Sequence, residues 1–479
     1  MRQKCIYTGV DDKQSRAGDE MMKNGWIYAL HLLFLVSLLG VAVGCAIAEN
    51  RQTLPPSRLP SGQPLRMIAA TDMHYLAKSL NDGGSAFQSF VENGDGKQLL
   101  YSDELMQALA YQVSQRKADI VLFSGDITNN GEAQSHADLE KRLRDLETMG
   151  ARVYVVPGNH DILNPWARRF KAGGQYKTDY ITPEDFRQIY ADYGYDEAIS
   201  VDNSSLSYLA APSDDVWLFM LDSARYKRNE EINYPQLDGE FSPSTLKWIE
   251  RCGKLAADSG AKLIAVMHHN LLVHSEMLSE GLTLNNSAEA VEVFRKAGIQ
   301  IVLSGHSHQQ SIVADQKNGQ PPVYDISEGA LSAFPHLFGV LDYTPADHTF
   351  NYEAVALDVE GWAKQAGAKD PQLLEFTSYS ETNILRMAKA KYYKRLSASP
   401  VMESYSQEEL TMMAEFIGRM NRVTMAGGDP TELNRLKSSK GYQLWSQTPD
   451  GTPFKSYIMR ATASRERAPS NRKVTVVQP

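Results

Sequence analysis

Five short stretches of this chain end in groups that bind cations or move protons. They are Asp72-Met73-His74, Gly125-Asp126, Gly158-Asn159-His160-Asp161, His268-His269 and Gly305-His306-Ser307-His308. Each follows an apolar run, over residues 65–71, 120–124, 153–156, 263–267 and 299–304. Taken singly, each has a structural explanation. A Gly-Asp pair is a common turn, and a histidine at a strand end is more often hydrogen-bonded than ligating. Five such clusters in order are different, because nothing about folding requires them. Imidazole, carboxylate and one amide, without thiolate, suit Mn, Fe, Zn or Ni. They disfavour calcium and a structural cysteine-type zinc site.

The elements that position these groups can be read from the same stretches. Apolar runs alternate with helical patterns near 103–117, 133–149, 183–193, 243–257 and 288–297, the rhythm of an α/β domain. In such sheets ligands collect at the carboxyl ends of the strands, which is where the motifs stand. Strand-like runs near 311–314, 323–326, 338–343 and 350–356 then follow without helices. They predict a second sheet, or the antiparallel part of a mixed one. From Asp370-Pro371 the pattern turns helical. Ser406-Gln407-Glu408-Glu409 reads as a capping box. Leu410, Met413, Ile417 and Met420 follow at helical spacing, as the core of a small helical domain.

The expected organisation is a leader over 1–48, a Pro-, Ser- and Gln-rich tether over 49–64, a catalytic domain over 65–360 and a helical domain over 370–460. A basic, solvated and disordered tail is expected over 461–479. Hydrophobic residues make up 42% and charged residues 22%, which suits a globular protein with a proper core. The net charge of −9 argues against a binder of nucleic-acid polymers through a broad basic face. A small anionic substrate then needs local positive charge, such as a metal.

Residues 26–43 are almost wholly apolar and follow Lys23, as in a secretory signal. Translation from Met21 or Met22 would remove the polar residues in front of it. Ala42-Val43-Gly44-Cys45 resembles a lipoprotein cleavage site, with Cys45 acylated. Ala46-Ile47-Ala48 would suit ordinary signal peptidase, and an uncleaved anchor is a third reading, since the run is just long enough to span a bilayer. All three export the body of the protein. The favoured one is a lipoprotein on the outer face of the cell membrane. Cys252 then has no disulfide partner.

The ordered set D-x-H, G-D, G-N-H-D, H, G-H-x-H resembles the calcineurin-like metallophosphoesterase superfamily, over residues 65–356. With the exported N-terminus and the helical C-terminal region, the chain is similar to the secreted or lipid-anchored class III cyclic-nucleotide phosphodiesterases of Gram-positive bacteria. The resemblance implies a two-sheet αββα sandwich with two divalent metal ions, Mn, Fe or Zn, at the sheet edge. It implies that Asp72, His74 and His308 hold the first metal, that Asn159, His268 and His306 hold the second, and that Asp126 bridges them. It makes a metal-bridging hydroxide the nucleophile and His160 the group that protonates the leaving oxygen. Asp161 is expected to orient the His160 imidazole and raise its pKa, the usual carboxylate–histidine arrangement. Asn159 supplies oxygen without charge, so two carboxylates against two divalent ions leave roughly +2 at the site. Neighbours on a strand point to opposite faces, so only one of His268 and His269 faces the metals. The resemblance makes it the first. The position after His269 is often Pro in the family and is Asn270 here.

Substrate class is read partly from absences. Protein phosphatases of this superfamily carry G-D-x-x-D-R-G, whose Arg grips a terminal phosphate. Here the stretch runs Gly125-Asp126-Ile127-Thr128-Asn129-Asn130-Gly131, which favours a diester. Purple acid phosphatases place a Tyr, and DNA nucleases a His, where Asn129 stands. The expected substrate is a 3′,5′-cyclic nucleotide. The alternatives are another exported diester, such as a glycerophosphodiester or envelope fragment, and a tethered protein that binds metal and phosphate without turnover. Substrate contacts are sought in the Gly-containing loop from Tyr75 to Gly96, in Trp166 as a stacking surface, and in Arg168 or Arg169 as phosphate partners. Packing of Trp166 and solvation of the arginines is the plainer alternative.

Overall fold

The computed structural model describes residues 58–275, 280–317, 319–463 and 471–478. The apolar runs form strands. β1 (Leu65–Ala70), β2 (Ile120–Phe123) and β3 (Arg152–Val155) pair in parallel. A small hairpin follows, β4 (Arg168–Lys171) and β5 (Gly174–Lys177), then β6 (Ser200–Val201) and β7 (Tyr208–Ala210). β8 (Val216–Leu221), β9 (Lys262–Met267) and β10 (Ile301–Ser304) are again parallel. The later strands are β11 (Ser311–Asp315), β12 (Val323–Ser327), β13 (Leu337–Thr344), β14 (Thr349–Ala356) and β15 (Lys473–Val477). One sheet runs β15-β14-β13-β1-β2-β3 and the other β11-β12-β10-β9-β8-β7-β6.

The strands beyond residue 304 are therefore divided between the sheets. β12 joins β10 in parallel and β11 turns back beside it. β13 returns to the first sheet, antiparallel to β1, with Met67 opposite Leu341. Both sheets are mixed, and neither is built from the later strands alone.

Alternation along the second sheet explains the layers. Leu218, Met220, Ile264, Val266, Ile301 and Leu303 share one core with the first sheet. Their neighbours Trp217, Phe219, Leu263, Ala265, Met267 and Val302 belong to a separate cluster with residues of the flanking helices. Successive side chains point to opposite faces, so a strand covered on both sides is apolar throughout. Helices α1 (Ser85–Glu92), α2 (Ser102–Arg116) and α3 (Ala133–Thr148) connect strands of the first sheet. Helices α4 (Pro243–Ser259) and α5 (Ser287–Ala297) supply Leu246, Ile249, Ala256, Ala290 and Phe294 to the outer core of the second. This is an α/β sandwich of two sheets flanked by helices.

The helical region begins with α6 (Val359–Gln365) and α7 (Phe376–Ser397). It continues with α8 (Gln407–Met425), α9 (Pro430–Lys437), α10 (Lys440–Gln447) and α11 (Lys455–Thr462). The Ser406–Glu409 capping box is present at the start of α8. Leu410, Met413, Ile417 and Met420 surround Trp445, whose Nε1 donates to Met413 O at 3.0 Å. The first part of this region is joined to the sheets. Leu373 and Phe376 lie in the same core as β1, and His336 Nε2 is 2.7 Å from Ser380 Oγ of α7.

Two expectations about the ends of the chain need correction. The tail is not solvated throughout. Residues 473–477 add β15 to the edge of β14, because Val474 and Val476 alternate with polar residues and turn toward the core. Gln478 then exchanges hydrogen bonds with the backbone of Leu263 at 3.0 and 3.2 Å. The tether also ends earlier than residue 64. Leu59 bridges to Ser213, and Asp215 accepts from Ser61 Oγ and Gly62 N. The apolar leader, Cys45 and residues 464–470 lie outside the described residues. Among the described residues no helix is long and apolar enough to cross a membrane, and Cys252 is a buried free cysteine.

The edge strand generates a test. Val476 is 4% exposed and Val477 is 59% exposed. Val476→Ala is expected to lower unfolding stability by about 1–2 kcal/mol, from the apolar surface lost. Val477→Ala is expected to change it by less than about 0.5 kcal/mol. Denaturant titration of both variants checks this, and equal effects would contradict the strand.

Candidate metal centre and adjoining cavity

The motifs converge where the carboxyl ends of β1, β2 and β3 meet those of β9 and β10. Asp72, His74, Asp126, Asn159 and His268 are almost completely buried, and His306 nearly so. Ligand atoms of Asp72, His74 and His308 lie within 4.8 Å of one another, as do those of Asp126, His268 and His306. In the first group Asp72 Oδ1 is 3.2 Å from His308 Nε2 and 3.6 Å from His74 Nε2. In the second, His268 Nε2 is 3.3 Å from Asp126 Oδ2 and 3.1 Å from Asn159 Oδ1. Asp126 Oδ2 is also 3.6 Å from His74 Nε2, so one carboxylate oxygen faces both groups.

The hydrogen bonds around the ligands assign free lone pairs. His268 Nδ1 meets the carbonyl of Ser124 at 3.0 Å, and His306 Nε2 meets that of Gly281 at 3.0 Å. A carbonyl only accepts, so these nitrogens carry hydrogen, and the other nitrogen of each ring is left to ligate. Asp72 Oδ2 accepts from His306 N at 2.9 Å, while Asp72 Oδ1 is buried and has only the imidazole nitrogens of His308 and His74 beside it, with no well-aligned hydrogen bond. A buried carboxylate oxygen so poorly satisfied is costly unless a cation meets it.

The protonation pattern fits a cation as well. Burial, with Lys97 nearby, holds His74 neutral at about 3. Burial also lowers His306, to about 4. Burial pulls on His268 too, but the Asp126 carboxylate outweighs it and raises the imidazole to about 9. The proton shared by His268 and Asp126 stands where a divalent ion would displace it. The donor set and the poorly satisfied oxygen both fit two divalent metals.

The backbone is bent to bring these groups together. Asp72, His74, Asp126, His306 and His308 all have positive φ, between 44° and 66°. Non-glycine residues in that region cost on the order of 1–3 kcal/mol each and persist where the surroundings over-determine them. The glycines of the motifs allow close approach instead. A Cβ on Gly158 would lie 2.2 Å from Asp126 Oδ1, and one on Gly305 would lie 1.9 Å from Thr71 Oγ1.

The remaining expected residues separate. His269 packs its ring 4.5 Å from that of His306 but offers no ligand atom, because its two nitrogens meet Ser223 Oγ at 2.8 Å and Leu237 O at 3.0 Å. Asp161 does not orient His160. Its oxygens accept from Thr128 N and Oγ1 at 2.8 Å each, Gly158 N at 2.8 Å and Ile127 N at 3.2 Å. It pins the loop after β2 to the loop after β3, and those donors leave nothing for the imidazole. His160 Nδ1 is held instead by Asn129 O at 3.0 Å and Asn130 Oδ1 at 2.9 Å. Nor is the pKa of His160 raised. Burial, only partly countered by Asp126, takes it down to about 4.

A cavity of about 410 Å³ opens beside His160, lined by Lys97, Asn129, Asn130, Trp166 and Lys391 among others. Trp166 is 47% exposed and lines it. Arg168 and Arg169 do not. Arg168 donates to the carbonyls of Pro165 and Ala167, and Arg169 lies over the Tyr176 ring. The segment after His74 is less of a loop than expected, since it contains α1, but its end borders the cavity through Asn93, Gly94 and Asp95. Asn130, Lys97 and Lys391 escaped sequence reasoning. Asn130 stands in the quoted G-D stretch, and its amide could have been weighed as an imidazole partner. Nothing in the spacing signals either lysine.

Residues 65–310 match the family of calcineurin-like phosphoesterases, about half of the chain. The chain belongs to the calcineurin-like phosphoesterase family. Residues 358–466 match the C-terminal domain of cyclic nucleotide phosphodiesterase. A Synechococcus protein named a probable cyclic nucleotide phosphodiesterase is 26% identical over 205 residues, covering 42% of this chain and 62% of that one. The chain thus spans less than two thirds of that relative's length. A probable cyclic nucleotide phosphodiesterase of Psychrobacter arcticus is 22% identical over 252 residues, covering 52% of this chain and 76% of that one. Among solved structures, a dimetal phosphatase from Danio rerio aligns with a TM-score of 0.43 and 13% identity, over 61% of this phosphoesterase and 96% of that chain.

The two corrected roles can be separated by mutation. Asp161→Ala leaves buried N–H groups without an acceptor, at about 1–3 kcal/mol each, so a marked loss of unfolding stability is expected. Asn130→Ala is expected to cost less stability and to lower kcat by freeing the His160 ring. Denaturation and steady-state kinetics of both variants check this. A stable Asp161→Ala protein with a selective kcat defect would return the orienting role to Asp161.

Proposed function

We propose that this chain is a phosphodiesterase that hydrolyses 3′,5′-cyclic nucleotides at a two-metal centre on the outer face of the cell membrane. The observation that carries the substrate class is the cavity that opens from His160. Its volume of about 410 Å³ is in the range of a small-molecule site. It joins an exposed indole, Trp166, to amide and ammonium groups, a mixture suited to a nucleoside. Among the described residues no arginine lines it, so it lacks the bidentate clamp that favours a terminal phosphate. The likeness of residues 358–466 to the C-terminal domain of cyclic nucleotide phosphodiesterase supports the same reading. The apolar leader and Cys45 support the location, with membrane attachment through lipid.

Asp72, His74 and His308 would hold one divalent ion, and Asn159, His268 and His306 the other, with Asp126 shared between them. When bound, such ions supply Lewis acidity toward the phosphoryl oxygens and acidify a water for in-line displacement at phosphorus. The rest falls to the chain's own groups. Lys97 places positive charge beside His74 and His160 and draws the phosphoester anion toward them. Its own partner, Asp95, stands 3.3 Å away. Asn129 O and Asn130 Oδ1 fix hydrogen on His160 Nδ1, and burial holds the ring neutral, so Nε2 is the free nitrogen that takes up the proton given up by the attacking water and passes it to the leaving ribose oxygen.

The leaving group provides the test. A ribose alkoxide leaves poorly without a proton, whereas p-nitrophenolate leaves unaided. His160→Ala is expected to slow 3′,5′-cyclic AMP hydrolysis by ~10²–10⁴-fold, the usual worth of a general acid. Bis(p-nitrophenyl) phosphate should slow much less, with metal content unchanged. Equal slowing of both substrates would show that His160 positions substrate rather than protonating it.

A further inference from the structure

The helical region adds no group to either ligand cluster, yet it reaches the substrate side of the site. We propose that Lys391 on α7 contacts the substrate, binding hydrogen-bond acceptors at its nucleobase end, so that the helical region sets base preference. This rests on the cyclic-nucleotide reading and names a specificity residue for it.

Lys391 borders the same cavity as His160 and Trp166. The geometry of α7 explains how it gets there. Ile384, Met387, Ala388 and Lys391 fall at three- and four-residue spacing, so they share one face. That face also lines a smaller cavity of about 190 Å³ against α8 and the Gly94-Asp95-Gly96 segment. Gly96 has a φ of 95°, and a Cβ there would lie 3.0 Å from Ile384 Cδ1. Helix α7 therefore backs the segment that carries Asp95 and Lys97, and Lys391 stands two helical turns beyond Ile384.

The charge of Lys391 is available. Arg386 and Lys389 on the same helix are paired with Glu92 and Glu415. Lys391 is exposed and forms no ion pair among the described residues. The two cavity lysines divide the work by position. Lys97, whose side chain is only 13% exposed, lines the inner wall of the cavity with His160 and so lies at the phosphate end. Lys391 and Trp166 are both exposed where they line the cavity, and so stand at its mouth. A base stacked on that indole would present its edge to the ammonium.

An ammonium donates hydrogen bonds and accepts none. The Hoogsteen edge of guanine offers two acceptors, N7 and O6. Adenine offers N7 beside an amino donor. Lys391 therefore favours guanine.

The test uses the full chain loaded with Mn²⁺ and the variants Lys391→Met, which keeps the aliphatic stem, and Lys391→Arg. Their kcat and KM are measured for 3′,5′-cyclic GMP, 3′,5′-cyclic AMP and methyl p-nitrophenyl phosphate, which is too small to reach Lys391. Lys391→Met is expected to raise KM for cyclic GMP roughly tenfold and for cyclic AMP less, the scale of a lost polar contact. The small diester should be unaffected, and Lys391→Arg should restore most of the cyclic GMP affinity. An unchanged KM and unchanged base preference in an enzyme that hydrolyses cyclic nucleotides would overturn the assignment alone. Equal losses on all three substrates would also overturn it, by making Lys391 a support for the fold. A wild-type enzyme that cleaves the small diester and neither cyclic nucleotide would instead remove the substrate reading, and this inference with it.

Discussion

Asp126 Oδ2 lies 3.6 Å from His74 Nε2 and 3.3 Å from His268 Nε2. That single oxygen ties a histidine delivered by the first sheet to one delivered by the second. The other oxygen of the carboxylate accepts from His160 N at 2.8 Å, so the residue also fixes the loop after β3. Taking this carboxylate and its imidazole neighbours out of water is favourable only if cations meet them. Two divalent ions would satisfy that condition, and the sandwich is arranged so that strand ends from both sheets supply the ligands.

The cost of the arrangement is visible in the backbone. Positive φ at five candidate ligand positions would be expensive in an ordinary loop. Asp161 helps to hold it, since its two oxygens collect donors from both the β2 and β3 loops. Burial and the Asp126 carboxylate push Asp161 up to about 7, which sets its electrostatic cost against its four hydrogen bonds. Strained ligands, a pinned loop and a shared carboxylate form one device, and each part is of little use without the others.

Much of this was legible in the sequence because strand alternation and motif order are local. Asp72, His74, Asp126, Asn159, His268, His306 and His308 each follow a recognisable apolar run, and the structure brings them together. What failed depended on contacts between segments far apart in the chain. Asp161 sits next to His160 in sequence, yet its acceptors face loop amides instead, and Asn130 takes its place from thirty residues upstream. The last strand is not legible in the sequence, because its short valine alternation follows a run of basic residues and only pairing with β14 makes it meaningful. Lys391 could not be found at all, since its role depends on how α7 packs across the Gly94–Gly96 segment.

The central claim is that two metals share Asp126. Anomalous diffraction from crystals of the Mn²⁺-loaded protein tests it most directly. Two peaks are predicted about 3.5–4 Å apart, the spacing of two-metal centres. One should contact Asp72, His74 and His308, the other Asn159, His268 and His306, with an oxygen of Asp126 between them. A single peak, or two peaks of which only one touches Asp126, would contradict it.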